Sequence, residues 1–176
     1  MRTTLDQTED ESTETMDSEL HELFLDELAD ILSAEQQLVI ALPKMAEAAM
    51  SEELTAAFES HLAETEYHII RIEQVFASLE QPVQRKECKA MKGLLEEGKD
   101  LMEEMKGSSA LDAALIAAAQ KVEHYEIASY GTLCAWAEKM GHAEAAELLG
   151  ATLDEEKTAD DTLTEIAEST YEEAGY

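Results

Sequence analysis

The chain has 176 residues, of which 41 are Asp or Glu and 12 are Lys or Arg, so its formal net charge at pH 7 is −29. Nucleic acids and anionic membrane surfaces bind proteins through basic patches, so this charge argues against both as partners. The length suits a single domain with its own core. Only two prolines, seven glycines and 5% aromatic residues are present. This composition favours helix over sheet and predicts an all-α fold.

The acidic surface also predicts a habitat. At about 1 M salt, charges are screened within about 3 Å, and a cytosol of high salt content would relieve the repulsion among so many carboxylates. We therefore expect a halophilic protein.

No signal peptide is visible, and Cys88 and Cys134 show no CxxC spacing. We expect both cysteines to be reduced, buried thiols and the protein to be cytoplasmic.

Apolar residues at a spacing near 3.6 predict four long helices and one short one. A polar, acidic stretch without such a period precedes them, and we expect it to be disordered. The predicted elements in chain order are a disordered tail at 1–17, helices at about 18–50 and 52–79, a long crossover at 80–109 that holds a short helix at about 87–106, helices at 110–140 and 143–171, and a tail at 172–176. Ser51 is expected to cap the second helix, and Ser109 with Asp112 to form a capping box at the fourth.

Each long helix carries a carboxylate on or beside its apolar stripe. Glu35 stands in the middle of the first stripe and Glu156 in that of the last. Glu123 and Glu126 are three residues apart and share one inner face. An ionised carboxylate buried alone is strongly destabilising, and a bound cation is the simplest explanation of several at once.

Four helices that each carry an inward carboxylate are the layout of a carboxylate-bridged centre of two metal ions. The ions expected are Fe(II) or Mn(II), which accept oxygen ligands together with one or two imidazoles. The candidate ligands are Glu35; Glu64 with His61 or His68; Glu123 and Glu126; and Glu156 with Asp160. The pattern leaves open which imidazole binds, and whether Glu155, Glu156 or Asp160 serves on the last helix.

Alternatives stand beside these candidates. Almost a quarter of the residues are acidic, so a single Glu is usually a solvated surface residue. Either His61 or His68 is equally well explained as a core histidine bonded to a neighbouring Glu. Tyr130 is expected to bond a ligand carboxylate, whereas His124 is expected at the surface. Position on the apolar stripe of four helices at once is what favours a metal site.

Residues 117–133, AAAQKVEHYEIASYGTL, closely resemble the hallmark of the YciF/YciE-like family of ferritin-like proteins. The stretches 33–38, 41–46, 61–65, 88–94 and 152–157 resemble the same family. The resemblance covers about residues 19–168. It implies a ferritin-like four-helix bundle over 18–171, with a short extra helix in the crossover between the second and third long helices. It also implies a homodimer, a di-metal centre and an association with stress responses.

The resemblance carries acidic ligand positions over to this chain residue by residue, namely Glu35, Glu64, Glu123, Glu126 and Glu156. The wider ferritin-like pattern has Glu-x-x-His on two helices, and this chain departs from it. No histidine follows Glu156, and Asp160 occupies that neighbourhood. The departure leaves the nitrogen ligands, and with them the metal, open.

Three functions compete. The first is a redox enzyme of peroxidase or catalase type, in which a di-iron or di-manganese pair reacts with peroxide or dioxygen. The second is iron sequestration, which needs a hollow shell of many subunits. The third is a non-catalytic helical stress or interaction protein.

Overall fold

The structure, a computed structural model, describes the backbone of residues 6–173 and the side chains of residues 19–170. Within that range the chain forms five helices and no strand, which confirms the prediction of an all-α fold. The helices are α1 (Asp6–Ala48), α2 (Glu52–Ser78), α3 (Lys89–Glu104), α4 (Leu111–Lys139) and α5 (Ala143–Glu173). Apart from the start of α1, each boundary lies within a few residues of its predicted position.

The start of α1 differs from the expectation. The helix includes residues 6–17, which we expected to be disordered. These residues contain neither proline nor glycine, so no residue among them interrupts a helix. At the other end of the chain, α5 continues to Glu173. The rest of the expected tails, residues 1–5 and 174–176, lies outside the described residues.

The four long helices pack as a bundle in which α1 contacts α2 and α4, and α5 contacts the same two helices. The short helix α3 packs against α4 and α1. The core is aliphatic and aromatic, and its largest fully buried side chains include Tyr130, Phe24, Phe76, Leu28, Ile31, Leu32 and Leu54. None of the described helices contains an apolar stretch that is long enough to cross a membrane.

A tight link joins α1 to α2. The hydroxyl of Ser51 accepts a hydrogen bond from the amide of Leu54 at 3.0 Å, which confirms Ser51 as the N-cap of α2. Glu52 and Glu53 in the first turn complement the helix dipole. The link is so short that α1 and α2 are antiparallel neighbours.

Asp112 fastens the start of α4 to this link. Its carboxylate accepts hydrogen bonds from the amides of Met50 and Ser51, each at 2.8 Å. The predicted capping box is wrong, because Ala110 is the N-cap of α4 and no side chain caps that end. The contact places the start of α4 beside the start of α2. The two helices therefore run in the same direction, and the crossover spans the length of the bundle.

The helix of the crossover, α3, is tied to α1 at its first turn. Cys88 is its N-cap, with Sγ accepting from the amide of Met91 at 3.4 Å. The amide of Cys88 donates to Oγ of Ser33 at 3.0 Å, and its carbonyl accepts from Nε2 of Gln37 at 3.1 Å. Cys88 is buried and Cys134 is half-buried, and neither forms a disulfide. The thiols are free, as predicted.

Candidate metal centre

Six ionisable side chains from all four long helices meet in the middle of the bundle. They are Glu35 from α1, His61 and His68 from α2, Glu123 and Glu126 from α4, and Glu156 from α5. Four of them are 0% exposed, while Glu123 is 2% and His61 is 5% exposed. The prediction that these carboxylates lie on buried helix faces is confirmed. Both histidines reach the cluster, so the two imidazoles are not alternatives to one another.

The donor atoms form two groups that share Glu156. One group is His61, Glu123, Glu126 and Glu156; the other is Glu35, His68 and Glu156, and the donor atoms within each group lie within 4.8 Å of one another. Oε1 of Glu156 is 2.9 Å from Nδ1 of His68, and Oε2 is 3.7 Å from Nε2 of His61. Each carboxylate oxygen of Glu156 therefore faces a different imidazole. A carboxylate that bridges two cations needs this arrangement.

The cluster holds buried polar atoms that lack hydrogen-bond partners. Among the described residues, eight buried side-chain N and O atoms have none, and all eight belong to these six residues. Two of them, Nδ1 of His68 and Oε1 of Glu156, lie 2.9 Å apart and pair when the imidazole is protonated, whereas both carboxylate oxygens of Glu126 have no such pairing. An unsatisfied buried polar group costs about 1–3 kcal/mol, and a charged one more, so the cluster requires a compensating partner.

Divalent cations fit this donor set. Carboxylate oxygens together with two imidazole nitrogens suit Fe(II) or Mn(II) better than soft, thiolate-binding metals. Four carboxylates also balance the charge of two divalent ions. Each of the two donor groups could hold a metal ion, and Glu156 belongs to both.

Burial governs the protonation of two carboxyls on α4. Transfer out of water raises the pKa of Glu123 and of Glu126 well above the ordinary value, and repulsion from Glu156 raises both further. Burial also raises the pKa of Glu35, although contact with His68 opposes it. Without a cation, these shifts favour the protonated carboxyls, and metal ligation would displace such protons.

His68 and Glu156 behave as an ion pair. Burial disfavours the imidazolium, but the contacts of the ring with Glu156 and Glu35 outweigh it and raise the pKa of His68 to about 10. Burial likewise acts to raise the pKa of Glu156, but the contact with His68 and the charges of His61 and His68 lower it. A cation would take the place of the His68 proton between these carboxylates.

The cluster is held from outside by three further groups. The phenolic hydroxyl of Tyr130 donates a hydrogen bond to Oε1 of Glu35, as predicted. Nε2 of His68 lies 3.0 Å from Oε2 of Glu155, and Nδ1 of His61 lies 3.4 Å from Oε2 of Glu64. Each imidazole thus presents one nitrogen to the cluster and the other to an outer carboxylate.

Two predicted ligands are not brought into the cluster. The side chain of Glu64 is 44% exposed and contacts the outer nitrogen of His61, because three helical residues rotate a side chain by about 300° and leave it beside the inner face. Asp160 turns towards α4, where Oδ1 accepts from Gln120 and Oδ2 lies 3.4 Å from Nε2 of the exposed His124. The structure places Glu156 at the centre and Glu155 beside it.

Sequence reasoning missed the role of Arg71. Its guanidinium binds both oxygens of Glu155, with Nη2 2.8 Å from Oε1. This bond lowers the pKa of Glu155. A signal was present, since Arg71 is the only Lys or Arg between Lys44 and Arg85 and follows His68 by three positions.

A profile of protein families matches residues 19–175 to a family described as "Domain of unknown function (DUF892)". The chain belongs to the DUF892 family. Among the relatives of this DUF892 chain, Protein YciF of Escherichia coli (strain K12) is 50% identical over 149 residues, which are 84% of this chain and 90% of that protein. The family resemblance seen in the sequence is thereby confirmed.

Solved structures of DUF892 relatives agree with the fold. The crystal structure of the E. coli stress protein YciF matches with a TM-score of 0.84 at 48% identity, covering 87% of this chain and 97% of that one. YcfI of Rhodopseudomonas palustris, to which a structural role is ascribed, matches with a TM-score of 0.80 at 46% identity, covering 82% and 92%. The five-helix bundle is therefore shared with solved structures of close relatives.

Proposed function

We propose that this chain is a stress-associated protein with a carboxylate-bridged di-iron or di-manganese centre that reacts with peroxide or dioxygen. The observation that carries the proposal is the convergence of four carboxylates and two imidazoles around eight buried atoms without hydrogen-bond partners. The association with stress is supported by the similarity to E. coli YciF, which is described as a stress protein.

The bundle is proposed to be of the ferritin-like type. Support comes from its connections, since α1 and α2 form one hairpin, α4 and α5 form another, and a crossover with its own helix α3 joins them. The contact of Asp112 with the amide of Ser51 makes α2 and α4 parallel. Ferritin-like folds have one long crossover of this kind and bind metals between the helices.

The side chains of the cluster have separate tasks in this proposal. Bound Fe or Mn ions would supply the redox chemistry for a small oxidant. Glu156 belongs to both donor groups, and His61 and His68 would each offer one nitrogen. Both oxygens of Glu126 lack partners, so Glu126 would hold an ion through one oxygen or both. Burial of all six residues excludes large substrates and suits peroxide or dioxygen.

Metal analysis and peroxide consumption test the proposal. Protein purified without chelator is expected to contain about two Fe or Mn ions per chain, as the two donor groups require. Glu35→Ala and Glu123→Ala should remain folded and lose metal and peroxide consumption together. The exposed Glu66 on α2 provides the control, since Glu66→Ala should retain both. Metal bound in full without any peroxide or dioxygen reaction would refute the redox function.

A non-catalytic role is the second candidate, favoured by the structural role ascribed to the relative YcfI. In that case the metal ions would only brace the bundle. Peroxide consumption distinguishes the two functions. A bracing site should raise the melting temperature on metal binding and leave peroxide unconsumed.

The cytoplasm is the proposed location, supported by the two free cysteines.

The proposed assembly is a homodimer. Support comes from a groove of about 300 Å³ between α1, α3 and α4, whose apolar lining includes Leu94, Leu95 and Met102. Ile40, which also lines it, is 64% exposed. A second copy would cover this apolar surface. Light scattering distinguishes a dimer from the many-subunit shell that iron storage requires, and Ile40→Glu should produce monomers.

A further inference from the structure

The two imidazoles of the cluster are held in opposite ways. His61 directs Nε2 inward, 3.4 Å from Oε1 of Glu123, and Nδ1 outward. His68 directs Nδ1 inward, 3.5 Å from Oε2 of Glu35, and Nε2 outward. The outer partner of His61 is Glu64, which is half-exposed. The outer partner of His68 is Glu155, which is held by the guanidinium of Arg71.

Arg71 fixes Glu155 from the other side. The guanidinium bonds both carboxylate oxygens, and Nη1 also donates to Oγ1 of Thr152 at 3.2 Å. Cζ of the guanidinium lies over the ring of Tyr67, 4.6 Å from its centroid. Four contacts thus hold the guanidinium, and a carboxylate paired with it in two bonds is oriented as well as neutralised.

The direction of the bond between Glu155 and His68 follows from this pairing. A carboxylate that receives two bonds from a guanidinium is ionised and has no proton to give. It therefore accepts from Nε2 of His68, and that nitrogen must carry hydrogen. The lone pair of a neutral imidazole then belongs to Nδ1, the nitrogen that faces Glu35 and Glu156.

We propose that Glu155, held by Arg71, is a positioning residue that keeps Nε2 of His68 protonated and presents Nδ1 to a divalent cation. The inference rests on the metal centre proposed above. Outer carboxylates on metal-binding histidines fix the tautomer and the ring orientation, and their loss costs about 10- to 100-fold in metal affinity. Glu155 itself does not touch the cation.

The first test uses the intact protein loaded with Zn(II), which is diamagnetic and accepts the same donor types. Long-range ¹H–¹⁵N correlation spectra of ¹⁵N-labelled protein, assigned with His68→Gln, should show a protonated Nε2 and a metal-shifted Nδ1 for His68. A His68 bound through Nε2, or one that is not bound, would overturn the proposal. So would a wild-type protein that does not bind Zn(II).

The second test compares variants by Zn(II) titration. Glu155→Gln should lower the affinity about 10- to 100-fold and give a mixture of His68 tautomers, whereas the exposed Glu147→Gln on the same helix should behave as wild type. Arg71→Gln breaks the same ion pair between α2 and α5 but leaves the carboxylate, so its loss of affinity should be smaller. Wild-type affinity in Glu155→Gln, or equal losses in both variants, would reduce Glu155 to a structural contact and overturn the proposal.

The two proposals fail separately in these experiments. A correct His68 tautomer with no peroxide or dioxygen reaction of the Fe or Mn protein would refute the redox function and leave the role of Glu155 intact. A redox-active protein in which Glu155→Gln binds Zn(II) as wild type does would do the reverse.

Discussion

The hydroxyl of Tyr130 donates a hydrogen bond across the bundle to Oε1 of Glu35, and both side chains are fully buried. The other oxygen of the carboxylate, Oε2, has no hydrogen-bond partner. The bond therefore fixes the carboxylate by one oxygen and leaves the second free for a cation. Burial and the neighbouring carboxylates raise the pKa of Tyr130 well above its usual value, so the phenol remains a donor.

Removal of this hydroxyl should loosen Glu35 without unfolding the protein. Tyr130→Phe is expected to bind Co(II) or Mn(II) about tenfold more weakly, because the carboxylate loses the partner that orients it. Calorimetric titration measures the change. Thr132→Val is the control, since Thr132 is exposed on the same helix and its hydroxyl donates to the backbone carbonyl of Ala128. Unchanged affinity in Tyr130→Phe would contradict the orienting role.

Metal binding should strengthen as the pH rises. The pKa of His68 is raised to about 10, and burial raises the pKa values of Glu123 and Glu126, so the metal-free cluster favours the protonated form of each of these groups. A cation must displace these protons, so the apparent affinity falls as the pH falls below the pKa of each group. Calorimetry in buffers of different ionisation enthalpy should detect proton release. Binding without proton release would contradict these protonation states.

The number of protons released identifies the contribution of His68. His68→Gln should release about one proton fewer than wild type at pH 7, because glutamine carries no ionisable proton. Substitution of the exposed His124 should not change the number of protons released.

Replacement of a cluster carboxylate by an apolar group should stabilise the metal-free protein. Both oxygens of Glu126 are buried without partners, and an unsatisfied buried group costs about 1–3 kcal/mol. Glu126→Met is therefore expected to raise the free energy of unfolding by about 1–3 kcal/mol in the presence of chelator. Urea denaturation measures this change in the free energy of unfolding. The same variant should bind fewer metal ions, and a loss of stability would show that the carboxylate is satisfied in the metal-free state.

Asp112 should contribute to stability far from the metal. Asp112→Ala leaves the amides of Met50 and Ser51 without their carboxylate acceptor, and bonds to charged groups contribute about 1.5–3 kcal/mol each. For the two bonds together we expect a loss of about 3–6 kcal/mol in urea denaturation. Asp161→Ala, at an exposed position of α5, is the matched control. Unaltered stability in Asp112→Ala would contradict the fastening role.

Salt should stabilise the chain if its charge reflects a saline habitat. A rise from about 0.1 M to about 1 M KCl shortens the screening length from about 10 Å to about 3 Å, which weakens the repulsion behind a net charge of −29. We expect the melting temperature to rise by about 4 °C, equivalent to about 1–2 kcal/mol for a chain of this size. A fall in melting temperature with KCl would contradict the halophilic prediction.

Much of the fold was readable from the sequence because helical periodicity and end signals are local. The cap of α2 by Ser51 and the inward faces of Glu35, Glu123, Glu126 and Glu156 follow from spacing alone. The same local reasoning failed for Asp112, whose partners are about sixty residues away in the chain. The local sequence is equally compatible with a capping box formed by Ser109 and Asp112. The packing of the two hairpins instead directs Asp112 to the turn between α1 and α2.

The outer part of the site could not be predicted in the same way. Periodicity places Glu64 and Glu155 similarly beside their stripes, yet one contacts His61 at the surface and the other is pinned by Arg71 between two helices. The difference depends on the rotation of α2 against α5, which no single segment encodes. The sequence likewise offered His61 and His68 as alternatives, whereas the structure directs both inward from opposite ends of the cluster.

The bond from Asp112 to the turn between α1 and α2 has a consequence for the order of assembly. Both amides that it accepts from lie in the turn between α1 and α2, so the bond requires that turn. We therefore expect the first hairpin to form before α4 docks against it, and the crossover to close a long loop afterwards. A nascent chain would consequently acquire half of its cation donors, from α1 and α2, before the other half arrive.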